Sequence, residues 1–191
     1  MKKSVIIGIL TTLMLLITGV AAVNSVSAST NSINTKEFLT GDKLQSTKVK
    51  VYIDPNVSSG IKQDIQWGVK DWQQSTNKIA FSYTNNPNNA TIRFTTGTFD
   101  NLINAMTYDN QTIPNGKNKL IVNAIIKINR DLIDTDKLTN FGIRIVEHEI
   151  GHVLGLADIK DSGLKYSTVM WWKDPNTGIT ALDDRAINSI Y

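Results

Sequence analysis

The chain has 191 residues, no cysteine and a formal net charge of +3, which falls to +1 (18 basic against 17 acidic residues) once Lys2 and Lys3 are set aside. That balance gives no basis for binding nucleic acid or an anionic membrane surface. The lack of cysteine excludes disulfides and a lipidated N-terminal cysteine, and the length suffices for one domain with its own core.

Lys2 and Lys3 precede an apolar run from Val5 to Val23, and Val26-Ser27-Ala28 forms a small-residue cleavage site. The pattern predicts a secretory signal peptide over residues 1–28 and a secreted, extracellular protein with no stable membrane association after cleavage. The alternative is a retained anchor, since the run is nearly long enough to span a bilayer, although Thr11, Thr12, Thr18 and Gly19 dilute it. Residues 29–47 are polar, with Ile33, Phe38, Leu39 and Leu44 as the apolar exceptions. They read as a short propeptide, a flexible N-terminal arm or an arm packed on the surface.

From Lys48 the patterning becomes regular. Val49, Val51 and Ile53 alternate with Lys48, Lys50 and Tyr52, which predicts a half-buried strand ended by Asp54-Pro55-Asn56. Ser58 or Ser59 is placed to cap a helix with Ile61, Ile65, Val69 and Trp72 on one face, and Gly68 on that face suits a close approach to the sheet. Ile79, Phe81 and Tyr83 predict a second strand, and Ala90, Ile92 and Phe94 a third, with a turn over Asn85–Asn89 between them. Residues 95–119 are looser. Ile103 to Tyr108 reads as a short edge strand or a surface loop, and Asn110, Pro114, Asn115 and Gly116 as a polar loop. Leu120 to Ile128 alternate as a longer strand, and Asp131 to Asn140 form a polar linker, with Asn140 a candidate cap for the next helix.

That helix carries His148-Glu149-Ile150-Gly151-His152-Val153-Leu154-Gly155-Leu156-Ala157-Asp158. Residues four apart share a helix face, so His148 and His152 can offer two imidazoles to one metal ion. Glu149 can lean over the same ion without binding it and take a proton from water there. Gly155 can end the helix in the left-handed conformation, and the reversal brings Asp158 back toward the metal. The flanking Ile143, Ile145, Val146, Ile150, Val153 and Leu154 predict a largely buried helix, in which two His and a Glu need partners.

This pattern resembles the extended zinc motif of the metzincin metallopeptidases, whose usual third ligand is His. The Asp here matches the snapalysin-like bacterial members. The chain's two His are both in the motif, and its Glu residues are Glu37, Glu147 and Glu149. A third His and a downstream Glu are therefore ruled out, which leaves Asp158, Asp161, Asp174, Asp183 and Asp184. Asp158 stands where the family pattern places its ligand. Two neutral imidazoles and one carboxylate leave a zinc site with a single net positive charge. Relatives that hold themselves inactive with a propeptide thiolate have a device that this chain lacks.

The order of elements over residues 48–191 resembles the catalytic domain of the matrixins. The resemblance implies an α+β, zincin-like fold: a twisted mixed sheet of about five strands with three helices, and the zinc helix beneath the active-site cleft. It also implies that Ala105 to Tyr108 forms the upper rim of the cleft, where an extended peptide is held as an added strand. Met170, within Ser167–Trp172, resembles the Met-turn that floors the metal; its alternative is an ordinary core Met. Trp172 stands where some relatives have a zinc-reaching Tyr and where matrixins have Pro. Trp171 and Trp172 belong either to the S1′ pocket wall or to the core.

Thr180 with Asp183 forms a capping box for a last helix whose face is Leu182, Ala186, Ile187 and Ile190. This resembles the final matrixin helix, in which Asp183 and Asp184 would be structural. The reading is a monomeric, secreted zinc endopeptidase acting on proteins or peptides in extended conformation, with Glu149 as general base. It needs one catalytic zinc; structural calcium is open, and a second, structural zinc is not expected. A non-catalytic, metal-stabilised peptide-binding module and a cell-wall peptide amidase remain the rival readings.

Overall fold

The computed structural model describes residues 35–99 and 102–191. The expected signal segment 1–28 lies outside them. The fold is mixed α/β, with three α-helices and a mostly parallel six-stranded sheet. The strands are β1 (Lys43–Leu44), β2 (Lys48–Ile53), β3 (Ala80–Tyr83), β4 (Ile92–Gly97), β5 (Ala105–Asn115) and β6 (Asn118–Asn129). The helices are α1 (Ser59–Ser75), α2 (Asn140–Val153) and α3 (Ala181–Ile190).

β6 organises the sheet. Along one edge it pairs in parallel with β1 (Leu44↔Ile121) and then β4 (Phe94↔Ile126); β2 and β3 follow beyond β4, also parallel. Along the other edge β5 runs antiparallel, with a bulge near Asn110, and among the described residues no strand pairs with its outer side. The count of about five strands is corrected to six. The added one is β1, two residues of the N-terminal arm. The expected polar loop at Asn110–Gly116 is also corrected. β5 continues to Asn115 and turns through Gly116 (φ +64°) and Lys117 directly into β6. An edge strand needs pairing on one side only, so Pro114 and the Asn residues are tolerated there.

The alternating residues meet the helices in one core. Val49, Val51, Ile92, Phe94, Ala124, Ile126 and Ile128 from the sheet are buried with Ile61, Ile65, Val69 and Trp72 of α1. α1 and α2 lie side by side. The Trp72 indole N–H donates to the Glu147 carbonyl at 2.9 Å. Gly68 makes its close approach to Val146 of α2 rather than to the sheet, and a Cβ there would collide with the Val146 side chain. The cap of α2 is Thr139, not Asn140: its Oγ1 accepts from the Gly142 N–H at 2.9 Å.

Asp64 of α1 fixes the same helix start. It is fully buried, and its Oδ1 accepts from the Thr139 N–H at 2.9 Å. Its Oδ2 finds no partner among the described residues. Burial pushes its carboxyl up to about 6; the Thr139 bond opposes the rise and the nearby Asp134 charge adds to it. Between about pH 4 and 6 the unfolded chain has lost a proton that the folded chain keeps, so stability falls as pH rises through that window. In Asp64→Asn that fall shrinks by up to about 3 kcal/mol. Urea unfolding at pH 4 and pH 7 checks this, and an unchanged fall contradicts it.

The N-terminal arm is part of the fold from Thr35 onward. Phe38 is buried, the Ala157 N–H donates to the Phe38 carbonyl at 2.7 Å, and Leu39 bridges Leu156. Thr40 donates through both its N–H (3.0 Å) and its Oγ1 (3.1 Å) to the Gly155 carbonyl. The Leu44 N–H donates to the Tyr191 hydroxyl at 2.8 Å, which in turn donates to the Leu154 carbonyl at 3.1 Å. The arm therefore lies along the segment that leaves the zinc-motif helix.

Candidate metal centre and active-site cleft

α2 brings His148 and His152 to one face, and its C-terminus turns Asp158 back to meet them. The Gly155 N–H bonds the His152 carbonyl at 3.0 Å and the Leu156 N–H bonds the Gly151 carbonyl at 2.9 Å, with Gly155 at φ +98°. This paired ending requires the left-handed conformation that glycine adopts most readily. The Asp42 carbonyl also sits where a Gly155 Cβ would stand.

The turn sets the chemistry of the second imidazole as well. His152 Nδ1 lies 3.0 Å from the Leu156 carbonyl, and His148 Nδ1 lies 2.8 Å from the Val169 carbonyl. A carbonyl can only accept, so each Nδ1 carries the proton and each Nε2 presents a lone pair. The two Nε2 atoms are 3.1 Å apart, and Asp158 Oδ1 lies 3.3 Å from one and 3.5 Å from the other. A tetrahedral zinc with ligands at about 2.0–2.1 Å sets its donor atoms roughly 3.3 Å apart. Two lone pairs and a carboxylate oxygen converging at that spacing repel one another unless a cation lies between them. The donor set and its geometry fit zinc. Among the described residues it is the only cluster of three or more such donors.

The ionisation of the cluster has the same sense. Burial opposes charging of Asp158, but the two imidazoles beside it, which can take up positive charge, outweigh this and hold its carboxyl well below the usual carboxylate range. Burial also opposes protonation of His152. In the protonated ring a bond to Asp158 and the charge of Glu149 prevail, and its pKa is raised. The cluster attracts positive charge.

Met170 is fully buried against α2, and a Cβ on Gly151 would collide with its sulfur. The segment around it is tied to α3 by Asp183. That carboxylate accepts from the Thr168 hydroxyl, the Val169 N–H (3.2 Å) and the Thr180 N–H (2.8 Å). Burial nonetheless pushes the Asp183 carboxyl up, against those bonds. Val169, anchored through its N–H, offers its carbonyl to His148. A chain of contacts thus runs from α3 to the first imidazole, and the Thr180–Asp183 capping box forms one end of it. Asp184 instead accepts from Asn188 on the surface.

Glu149 is nearly buried, and its Oε2 accepts a 2.6 Å hydrogen bond from Thr107 of β5. The cleft above is about 830 Å³, lined by Ile103 to Thr107, His148, Glu149, His152, Asp158 and Trp172 to Pro175, among others. The two adjacent tryptophans divide: Trp171 is buried, while Trp172 is 44% exposed and faces the cleft. Lys160 and Lys173 lie over its ring at 5.8 and 5.3 Å. Asn104 reaches across to Asp174 at 2.9 Å and joins the β5 side to the loop after Met170.

His148, His152 and Asp158 come together in one group, and Asp161, Asp174, Asp183 and Asp184 lie outside it. Sequence reasoning missed the Thr107 side-chain contact and the Val169 and Leu156 carbonyls, and left open the packed arm that forms the Phe38–Thr40 strap. The carbonyls have no residue signature at all. A lone Thr in a weakly patterned edge strand has none either. No protein-family model matches this chain, and no curated protein matches it.

Proposed function

We propose that this chain is a secreted, monomeric zinc endopeptidase of the metzincin kind, nearest in plan to the matrixins. One observation carries the reading: three donor atoms spaced 3.1–3.5 Å apart sit beside a nearly buried Glu, in a cleft rimmed by a free strand edge. The order of the sheet supports it, with parallel strands followed by an antiparallel edge strand beside α2. Zinc in such a donor set supplies Lewis acidity, which lowers the pKa of water and polarises a carbonyl.

The remaining work belongs to the chain. The outer edge of β5 offers backbone N–H and C=O groups to an extended peptide, which aligns its scissile bond over Glu149. The Glu149 carboxylate takes a proton from the attacking water and returns it to the departing amine nitrogen. Carbonyls fix both imidazoles in the Nδ1–H tautomer, so each turns its Nε2 lone pair toward the metal position. Trp172 adds an apolar wall at the cleft mouth.

The test is cleavage of an unfolded protein substrate by the purified protein. Internal peptide bonds are cut, a chelator stops the reaction and added zinc restores it. Cleavage indifferent to chelation contradicts the proposal. Zinc binding with peptide capture but no hydrolysis supports the binding module, and hydrolysis confined to cell-wall peptides supports the amidase.

A further inference from the structure

The bond between Thr107 and Glu149 joins the peptide-facing strand to the proposed base. Thr107 Oγ1 lies 2.6 Å from Glu149 Oε2 and 3.2 Å from the Glu149 backbone carbonyl. A hydroxyl has one proton, and an ionised carboxylate only accepts. The shorter contact is therefore O–H donated to a charged oxygen, in the range of strong, charge-assisted bonds. It engages Oε2, while Oε1 accepts no hydrogen bond among the described residues.

We infer that Thr107 is a positioning residue: its hydroxyl holds the Glu149 carboxylate in a single orientation, with Oε1 left to the water. The inference rests on the endopeptidase reading above. Two features make the placement effective. Thr107 is fixed by its pairing with Ile126 of β6, which is itself paired on its other edge with β4, so the donor sits on a rigid element. It is also on the strand whose free edge would receive substrate, two residues from Ala105 and next to Met106, which both line the cleft. A peptide pressed onto β5 therefore bears on the strand that aims the base. Thr is well suited to this, since its branched Cβ restricts χ1 and so confines the hydroxyl.

The experiment compares wild type, Thr107→Val and Thr107→Ser as zinc-loaded proteins. Val keeps the shape and the strand preference but cannot donate; Ser keeps the donor. The expected result is a fall in kcat on the order of 10–100-fold in Thr107→Val, with KM and zinc content unchanged. Thr107→Ser recovers most of the lost kcat. Crystal structures of the two zinc-loaded proteins supply a readout without turnover: one Glu149 carboxylate orientation in wild type, and a displaced or split one in Thr107→Val around unmoved His148, His152 and Asp158. A Thr107→Val protein with wild-type kcat and an unmoved Glu149 overturns the inference while leaving the endopeptidase reading intact. A change in KM alone, or a loss that Ser fails to recover, also overturns it. A wild-type protein that binds zinc and cleaves nothing overturns both.

Discussion

Glu149→Gln binds zinc as wild type does and loses turnover by about 10²–10⁴-fold, the usual weight of a general base. The substitution is nearly isosteric, and the amide oxygen can still accept from Thr107. What disappears is the basic oxygen that takes a proton from water. The donor set of His148, His152 and Asp158 does not include Glu149, whose Oε2 is engaged by Thr107. Metal content should therefore stay at the wild-type level. Zinc analysis and kcat on the same preparation separate the two effects. Near-normal turnover in this variant contradicts the assignment of the base, and a loss of zinc would make Glu149 a ligand instead.

The second large effect concerns the arm. A chain cut to begin at Ser46 is expected to lose several kcal/mol of stability and much of its zinc relative to a chain that begins at Thr35. The shorter chain gives up Phe38 and Leu44, at 0% and 3% exposure. Each is worth about 1.5–3 kcal/mol in burial. It also gives up the bonds from Ala157 to Phe38 and from Thr40 to Gly155, and the Leu39–Leu156 bridge. Each such bond contributes about 0.5–1.5 kcal/mol net. Against a total stability of roughly 5–15 kcal/mol, this is a large fraction. The loss also falls where it matters chemically, because Gly155 to Ala157 carry the chain into Asp158. Urea unfolding and zinc content of the two truncated chains check it. Equal stability in both would mean that the strap contributes nothing.

The parts of this fold that burial dictates were legible in the sequence. Val49, Val51 and Ile53 announced β2, and Ile61, Ile65, Val69 and Trp72 announced α1, because a half-buried strand and an amphipathic helix each leave a period in the residues. The candidate metal cluster was legible for a different reason. His148, Glu149 and His152 are four residues or fewer apart on one helix, and Gly155 has a local conformational task that brings Asp158 round. Local geometry alone therefore places most of the donors.

Long-range pairings were not legible. Thr107 meets Glu149 across 42 residues, and Thr40 meets Gly155 across 115, through polar groups that carry no periodic signal. β5 was read as a loop beyond Tyr108 because most of its side chains there are exposed, so it shows no alternation, and its Asn and Pro residues are usual in turns. Gly68 was correctly read as a close approach but assigned to the sheet. A missing side chain shows that something comes near, not what it is.

The most direct measurement is X-ray absorption at the zinc edge, with metal stoichiometry, on the purified protein. The account predicts one zinc per chain in a shell of light donors at about 2.0–2.1 Å, with the multiple-scattering signature of two imidazoles. Protein with no bound zinc, or with zinc whose shell contains no imidazole, would contradict the central claim, and α2 would then be a buried helix that happens to carry two histidines.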